Sequence, residues 1–275
     1  MTTEVGNEPR NIARHGGVLL DAARDELGLV EVVRHGRRRS LHFDSDIEQA
    51  SYLPDEPERL LFDYSRDLVL ASIFPASVDR VLLLGLGAGT VAGYLLRRLG
   101  AALQLDAVEY REVVADMAYR HFDLPVDPRL QIYIASAARF VDVHDAPRDV
   151  ILADLYDANG MNAEAERLSF LDTCRMRLAP AGVLAINLWR TDPAAFDFML
   201  AQLREVFGNR MLRVDADDAN AVVYCFADDS PDLRDSKYRR RLTARAGLLG
   251  FDGETFLRRL RRVGGKTENC CKEKL

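Results

Sequence analysis

Two aspartates, Asp154 and Asp157, lie three residues apart in the stretch ILADLYDANG, where an apolar run ends and a turn-like Ala-Asn-Gly follows. The run is typical of a buried strand, and open α/β sheets bind their ligands outside the carboxyl ends of such strands. Two carboxylates in a partly desolvated pocket can activate an amine, because one takes its proton while the other stays ionised as an anchor. The pair therefore predicts a site for an amine next to a cationic donor.

Each aspartate also has a structural interpretation, since Asp is a favoured residue at helix N-caps. Capping competes seriously for Asp157, which is followed by Ala-Asn-Gly-Met-Asn. It explains Asp154 less well, because Asp154 is still attached to the buried strand. Asp154 is thus the stronger candidate for a catalytic base, and Asp157 keeps both interpretations.

A glycine-rich loop, GLGAGT, stands between a strand pattern and an amphipathic helix pattern. Gly85, Gly87 and Gly89 give GxGxG rather than GxGxxG, and such a loop alone is equally typical of a tight strand-to-helix turn. Glu109 ends the next strand pattern about twenty residues on, where an acid accepts hydrogen bonds from ribose hydroxyls. Loop and acid together predict a nucleoside site, and the spacing favours an adenosyl-sulfonium ligand over NAD.

The elements that must position these residues alternate along the chain. Runs such as DRVLLLG, LQLDAVEY, LQIYIAS and DVILADLYD indicate strands, and the amphipathic stretches between them, including AERLSFLDTCRMRL, indicate helices. The alternation predicts an α/β fold with a doubly wound, mostly parallel, seven-stranded Rossmann-like sheet and an antiparallel strand inserted last. Before it, LVEVV and SLHF flank the turn-like RHGRRR and predict a small N-terminal β-hairpin domain.

These patterns divide the chain into four expected segments. They are a flexible N-terminus (1–17), the β-hairpin domain (18–56), the Rossmann-like catalytic domain (57–228), and a C-terminal helical extension with a polar tail (229–275). Arginine clusters at 239–241 and 258–262 are interpreted as solvated helix faces rather than a nucleic-acid patch, because acids flank them and no aromatic residues interleave.

Composition excludes several classes of function. The chain has 275 residues, is 48% apolar and carries a net charge of -6, which argues against nucleic-acid partners and mildly favours cationic small molecules. Its four cysteines lack metal-ligand spacing and no leader pattern is present, so we expect no metal site, no disulfide framework and a cytoplasmic protein. The apolar runs fall far short of the roughly 20 residues of a membrane span, so we expect no membrane partner.

From about Gly36 to Asp228 the chain resembles the spermidine synthase-like polyamine aminopropyltransferases, which have the class I adenosylmethionine-dependent transferase fold. The resemblance rests on Gln49 in LHFDSDIEQAS, Tyr64 in LLFDYSRDL, the loop GLGAGT, Glu109 in AVEY, and the acid pair in ADLYD. It implies that Asp154 is the general base, that Tyr64 orients this base, and that Asp157 and Tyr156 bind the amine substrate.

The resemblance also implies how the donor is held. The implied donor-binding residues are Gln49, Gly85, Gly87, Gly89, Glu109 and Ser136. No tightly bound cofactor is implied; decarboxylated S-adenosylmethionine, or S-adenosylmethionine itself, is a co-substrate. The small-molecule partner is an amine, and the assembly implied is a homodimer or homotetramer.

Several positions depart from the family pattern. Ala88 stands where the family's loop has an aspartate that holds the amine of the aminopropyl arm, and Ser136 where it has an acid near the adenine. Ser65 follows the helix tyrosine in place of His or Gln, and DADDANAVVY replaces the TYPSG stretch before the last strand. Losing one buried charge-assisted hydrogen bond costs about 1.5 to 3 kcal/mol. The identity of the donor is therefore the least determined part of the prediction.

Three functions are compatible with these residues. The first is transfer of an aminopropyl group from decarboxylated S-adenosylmethionine to a di- or polyamine such as putrescine, with release of methylthioadenosine. The second, motivated by Ala88 and Ser136, is methyl transfer from intact S-adenosylmethionine. The third is a non-catalytic nucleoside-binding protein, against which the intact Asp154 counts.

Overall fold

An antiparallel sheet of five strands forms the N-terminal part of the computed structural model, which describes residues 13–157 and 160–263. The strands are β1 (Ala13–Arg14), β2 (Gly17–Asp25), β3 (Gly28–His35), β4 (Arg38–Phe43) and β5 (Glu48–Tyr52), paired in that order. The predicted N-terminal β-hairpin domain is confirmed, and it has five strands rather than a single hairpin. Residues 1–12 of the expected flexible N-terminus lie outside the described residues, whereas residues 13, 14 and 17 lie in paired strands.

Helices and strands alternate after this sheet. The elements are α1 (Asp63–Leu70), a 3-10 turn (Ala71–Ile73), β6 (Arg80–Leu84), α2 (Thr90–Arg98), β7 (Gln104–Glu109), α3 (Glu112–His121), β8 (Leu130–Ile134), α4 (Ala137–Val143), β9 (Arg148–Ala153), β10 (Tyr156–Asp157), β11 (Gly160–Met161), α5 (Leu168–Met176), β12 (Leu178–Trp189), α6 (Pro193–Phe207), β13 (Met211–Asp215), β14 (Asn220–Phe226), α7 (Ser236–Leu248), α8 (Gly253–Arg259) and β15 (Arg261–Arg262). Among the described residues, no helix is long and apolar enough to cross a membrane.

The larger sheet has the strand order β15-β13-β14-β12-β9-β6-β7-β8. Neighbours from β12 to β8 are parallel, and β14 lies antiparallel between β12 and β13. The predicted doubly wound α/β fold with an antiparallel strand inserted last is confirmed. The described part of this sheet has eight strands rather than the predicted seven, because Arg261–Arg262 pairs with the outer edge of β13.

Alternate residues of the central strands face opposite layers, as the two-residue period of a strand requires. Leu83 and Leu152 pack in a cluster with α1, α2, α7 and α8, whereas Leu82 and Ile151 pack in a cluster with α4, α5 and α6. A third cluster joins the N-terminal sheet to α3 and includes Ala88 of the glycine loop. This packing holds the N-terminal sheet beside the loop at the carboxyl edge of the larger sheet.

The helices of the C-terminal segment pack on the larger sheet. Phe256 of α8 belongs to the same apolar cluster as α1, and the Arg259 guanidinium donates to both carboxylate oxygens of Asp67, at 2.6 and 3.0 Å. Arg239 pairs with Glu254 at 3.1 Å. Arginines of both clusters thus have acidic partners within the chain. The polar tail from residue 264 onward lies outside the described residues.

The connection from β9 to α5 differs from expectation. It contains the two-stranded hairpin β10–β11, in which Asp157 pairs with Gly160. Helix α5 begins at Leu168 with Arg167 at its N-cap, so it starts later than the pattern AERLSFLDTCRMRL indicated. The capping interpretation of Asp157 is therefore wrong, because its backbone lies in a strand well before the helix.

Candidate active site

A cavity of about 840 Å³ opens at the carboxyl edge of β6, β7, β9 and β12, next to the N-terminal sheet. Eight of the residues predicted from the sequence line it: Gln49, Tyr64, Gly85, Gly87, Glu109, Ser136, Asp154 and Tyr156. The side chain of Asp157 lies outside the described part of the chain. One cavity thus collects residues that are separated by more than a hundred positions in sequence.

The glycine loop forms the strand-to-helix turn that its sequence predicts, but its three glycines differ in their surroundings. Gly85 has φ of +91°, and a Cβ there would collide with the carbonyl oxygen of Asp154, so only glycine fits. Gly87 has φ of +53° and open space beside it. Gly89 does not line the cavity; its φ is +73°, and a Cβ would press on Leu124 at 2.9 Å. Its left-handed backbone starts α2, and its donor-binding role stays a prediction.

Glu109 fastens this loop to the neighbouring strand. Its Oε2 accepts from the backbone N–H groups of Leu86 and Gly87 at 3.2 and 3.3 Å, and its Oε1 accepts from the Arg111 N–H at 3.0 Å. Burial raises the pKa of Glu109, and these backbone donors lower it part of the way back. The carboxylate therefore both shapes the loop and lines the cavity, where the ribose of a nucleoside is expected.

Asp154 follows β9 and lies beside Asn187 of β12, because the register pairs Ala153 with Ile186. Asn187 Nδ2 donates to Asp154 Oδ1 at 2.9 Å. Burial raises the pKa of Asp154, and the interactions with Asn187 and the Tyr64 hydroxyl lower it in part. Burial and the Asp154 charge likewise raise the pKa of Tyr64, which stays a neutral phenol. A fixed carboxylate with a raised pKa is a stronger base than an exposed aspartate.

An aromatic pair continues outward from this base. Tyr156 and Trp189 stack with ring centroids 4.4 Å apart and an interplanar angle of 12°. The Tyr156 hydroxyl accepts from the Trp189 backbone N–H at 2.7 Å and donates to the Asn187 carbonyl at 3.2 Å. The β12 backbone therefore fixes Tyr156 in place, and both rings line the cavity.

Two further predicted residues have distinct surroundings. Ser136 lines the cavity, but its Oγ accepts from the Arg139 N–H at 3.1 Å and so caps α4. Gln49 reaches the cavity from β5, and its buried Nε2 has no hydrogen-bond partner among the described residues. An unpaired buried amide donor is costly, so Gln49 retains a free donor for a ligand while Ser136 has a structural task.

The lining carries more carboxylates than basic groups, and one of them, Glu48, pairs with Arg38 at 2.6 Å. Its carboxylates come from Glu48, Glu109, Asp154, Glu164 and Asp217. The basic side chain among the described lining residues is Arg111, whose guanidinium donates to both carboxylate oxygens of Asp25 at 2.6 and 2.8 Å. Such a lining favours cationic ligands. Over residues 13–157 and 160–263, no cluster of His, Cys, Asp and Glu side chains is arranged to hold a metal ion.

Sequence reasoning missed Asn187, Trp189 and Asn220, all of which line the cavity. Asn187 and Trp189 end the strand pattern GVLAINLW, two residues apart and hence on one face. The rule that ligands bind at carboxyl ends of parallel strands, applied to that pattern, would have indicated both. Asn220 begins an antiparallel strand, so its nearness depends on strand order.

Comparison with known proteins gives relatives but no matching family model. The curated polyamine aminopropyltransferase of Chromobacterium violaceum is 28% identical over 240 residues, covering 86% of this chain and 91% of that protein. A methyltransferase, the eEF1A lysine and N-terminal methyltransferase homolog of Drosophila melanogaster, is 27% identical over 188 residues, covering 64% of this chain and 28% of that protein.

Two solved spermidine synthase structures are also similar to this chain. A probable spermidine synthase from Corynebacterium glutamicum superposes with a TM-score of 0.69 at 20% identity, covering 91% of this chain and 99% of that one. A spermidine synthase in complex with the transition state analogue AdoDATO gives 0.66 at 18% identity, covering 82% and 79%.

The strand order, the glycine loop and the acid after the second parallel strand define a class I adenosylmethionine-dependent transferase fold. Within that class the chain is similar to polyamine aminopropyltransferases in sequence over most of its length, and its fold is similar to that of spermidine synthases.

Proposed function

We propose that the chain is an aminopropyltransferase that moves an aminopropyl group from decarboxylated S-adenosylmethionine to a di- or polyamine such as putrescine, releasing methylthioadenosine. The observation that carries the proposal is Asp154, a partly buried carboxylate held between Asn187 and Tyr64 in an acidic cavity beside the glycine loop. The aminopropyltransferase relatives match nearly their full length, which supports the same activity.

In the proposed reaction, Asp154, the acceptor amine and the sulfonium donor each have a defined role. The acceptor ammonium gives one proton to Asp154, and the neutral amine nitrogen attacks the aminopropyl carbon in line with the sulfonium. A C–N bond forms as the C–S bond breaks, and the thioether leaves with the bonding electron pair. The negative lining stabilises both cationic reactants, and burial keeps the Asp154 pKa raised so that the carboxylate can accept the proton.

The donor is bound at the loop end of the cavity in this proposal. Glu109 is the acceptor for ribose hydroxyls, Gln49 offers its free amide donor, and Gly85 and Gly87 allow close approach to the backbone. Ala88 lines the same end and is buried with 2% of its surface exposed. It provides no carboxylate for the amine of an aminopropyl arm, so selection of the decarboxylated donor must rest on the other carboxylates of the lining.

The test is product formation. Purified protein incubated with decarboxylated S-adenosylmethionine and putrescine should yield spermidine and methylthioadenosine in equal amounts by mass spectrometry. Reactions without amine, and reactions with intact S-adenosylmethionine, are the controls. If several diamines give no aminopropylated product, the proposal is wrong.

Methyl transfer is the second candidate, favoured by Ala88 and Ser136. It is less supported, because the methyltransferase relative matches a smaller share of the chain and only 28% of its own length. Methylated amine and S-adenosylhomocysteine in the reactions with intact S-adenosylmethionine would identify this activity instead.

A further inference from the structure

The turn between β2 and β3 reaches the cavity from the N-terminal sheet. Leu27 in this turn lines the cavity and is 53% exposed, although it is a large apolar residue. Tyr110 and Ile47 are also exposed and line the same cavity. Tyr110 directly follows Glu109, and Ile47 comes two residues before Gln49, so this apolar rim borders the end where the nucleoside is expected. Exposed apolar side chains stabilise a complex when the ligand covers them.

Arg111 attaches this turn to the residues that hold the glycine loop. Its guanidinium donates to both carboxylate oxygens of Asp25, at 2.6 and 2.8 Å, and to the Gly28 carbonyl oxygen at 2.9 Å. The Arg111 side chain is buried, and its Cζ lies 5.1 Å from the ring centre of Phe43. Because the Arg111 backbone N–H also donates to Glu109 Oε1, one residue connects the β2–β3 turn with the acid that fastens the glycine loop.

Asp25 completes this connection from the side of the turn. Its Oδ1 also accepts from the Leu27 backbone N–H at 3.0 Å, so the same carboxylate folds the turn and binds the guanidinium. The hydrogen bond from Arg111 lowers the pKa of Asp25, which keeps the carboxylate ionised well below neutral pH. The pair also neutralises the guanidinium, whose residue lines a cavity proposed to bind a sulfonium.

We propose that Arg111 is a positioning residue for nucleoside binding, which holds the β2–β3 turn closed so that Leu27 covers the bound nucleoside at the mouth of the cavity. When the Arg111–Asp25 pair is broken, the turn opens and the contact with Leu27 is lost. The apparent Kd is then the intrinsic Kd divided by the fraction of protein in which the turn is closed. The inference rests on the proposed function only for the choice of nucleoside, and it concerns residues outside the amine site.

Methylthioadenosine is the probe, because it is uncharged and does not respond to the charge of Arg111 itself. Arg111→Met and Asp25→Asn should each raise its Kd about tenfold, measured by isothermal titration calorimetry. The dissociation rate, measured by surface plasmon resonance, should account for most of this change. Leu27→Ser should raise the Kd about fivefold, because it removes the apolar cover and leaves the ion pair intact.

Arg120→Met and Leu20→Ser are the matched controls. Arg120 of α3 pairs with Asp21 of β2 at 2.6 Å, and Leu20 is an exposed leucine of β2, but neither is among the described residues that line the cavity. Both variants should bind methylthioadenosine as wild type does. A rise of Kd in Arg120→Met equal to that in Arg111→Met would refute the inference, because loosening of the contact between β2 and α3 would then be sufficient.

A double-mutant cycle separates this positioning role from a role of Arg111 in maintaining Glu109. The double variant of Asp25→Asn with Arg111→Met should bind no more weakly than either single variant, because both break the same pair. In the Arg111→Met background, Leu27→Ser should change the Kd less than about twofold. If Arg111→Met instead disturbs Glu109, Asp25→Asn should bind normally and Leu27→Ser should keep its full effect in that background, and either result overturns the inference.

Turnover gives a second readout that a general loss of stability would not change in the same way. Arg111→Met should raise the KM for decarboxylated S-adenosylmethionine about tenfold, with kcat and the KM for putrescine within about threefold of wild type. Equal changes in both KM values would contradict a role confined to the donor.

Failure of the proposed function gives a different result. Wild-type protein then forms no aminopropylated product but still binds methylthioadenosine or S-adenosylhomocysteine, and the same variants are compared with the nucleoside that binds. A tenfold rise of Kd in Arg111→Met and Asp25→Asn then supports the inference without aminopropyl transfer. Wild-type protein that binds neither nucleoside overturns it.

Discussion

At the scale of single residues, the burial that raises the pKa of Asp154 suits this carboxylate to proton transfer. Asp154→Asn preserves size but removes the proton acceptor, so kcat with putrescine should fall by about 10² to 10⁴. Methylthioadenosine should stabilise the variant as it stabilises wild type, because the glycine loop and Glu109 are unchanged. The surface variant Asp145→Asn is the matched control. Normal turnover by Asp154→Asn would refute the assignment of the base.

Asn187 acts through this base. Its amide hydrogen bond lowers the pKa of Asp154, so Asn187→Leu should raise that pKa further. A general base works only when deprotonated, and the acid limb of the kcat/KM profile should therefore move to higher pH. Part of the lost activity should return as the pH is raised. An equal loss at every pH would show that Asn187 only maintains the local packing.

At the scale of elements, the sequence predicts well which residues lie at the ends of strands. It predicts poorly which side chains pair between neighbouring strands. Gly85, Glu109 and Asp154 follow three apolar runs, and the carboxyl ends of parallel strands meet at one edge, so their convergence follows from local patterns. The Asp154–Asn187 bond depends on the register of β9 and β12, which tertiary packing sets. Gly89 shows a related difficulty, because a glycine whose left-handed backbone starts a helix has the same local sequence signature as one that a ligand requires.

The pair of Asp67 in α1 and Arg259 in α8 attaches the C-terminal helices to the catalytic fold. Asp67 is 1% exposed, and burial, only partly offset by Arg259, raises its pKa to about 6. Arg259→Met leaves this carboxylate unpaired and should lower the free energy of unfolding by about 2 to 3 kcal/mol at pH 7.5. The loss is smaller than for a fully buried ion pair, because Arg259 is partly exposed and solvent screens its charge. Urea unfolding measures it, with the exposed neighbour Arg258→Met as control.

The sign of the pH dependence distinguishes this charge effect from lost packing. Below pH 5 Asp67 takes up a proton in the folded state and no longer needs its partner, so the penalty of Arg259→Met should shrink. The double variant Asp67→Asn with Arg259→Met should recover most of the lost stability at pH 7.5. A penalty that is the same at pH 5 and pH 7.5 would contradict this account.

At the scale of the whole molecule, we propose that the segments 18–56, 57–228 and 229–263 act as one catalytic unit. The cavity takes Gln49 from the N-terminal sheet and Asp154 from the parallel sheet, and α8 packs in the core that supports α1. The stability of these segments then bears directly on the site, and buried titratable groups in the N-terminal sheet and in α1 make that stability depend on pH.

His42 and Asp67 should make the stability of the molecule depend on pH with opposite signs. His42 lies in the N-terminal sheet, 3% exposed, with Ser40 Oγ at 2.9 Å from Nε2 and His15 stacked on its ring at 4.1 Å. Burial, followed by the charge of His15, lowers the pKa of His42. Its contribution is therefore present above the unfolded value near 6.5 and is lost as the pH falls through the lower folded value.

Asp67 has the opposite sign, because its folded pKa of about 6 lies above the ordinary aspartate value. It favours folding below pH 4 and loses that contribution as the pH rises to 6. The thermal midpoint of His42→Asn should therefore decline less than that of wild type between pH 6.5 and 5, whereas Asp67→Asn should decline more steeply. Thermal scans of the three proteins across this range measure the difference, and parallel curves for His42→Asn and wild type would show that His42 does not carry the acid sensitivity of the N-terminal sheet.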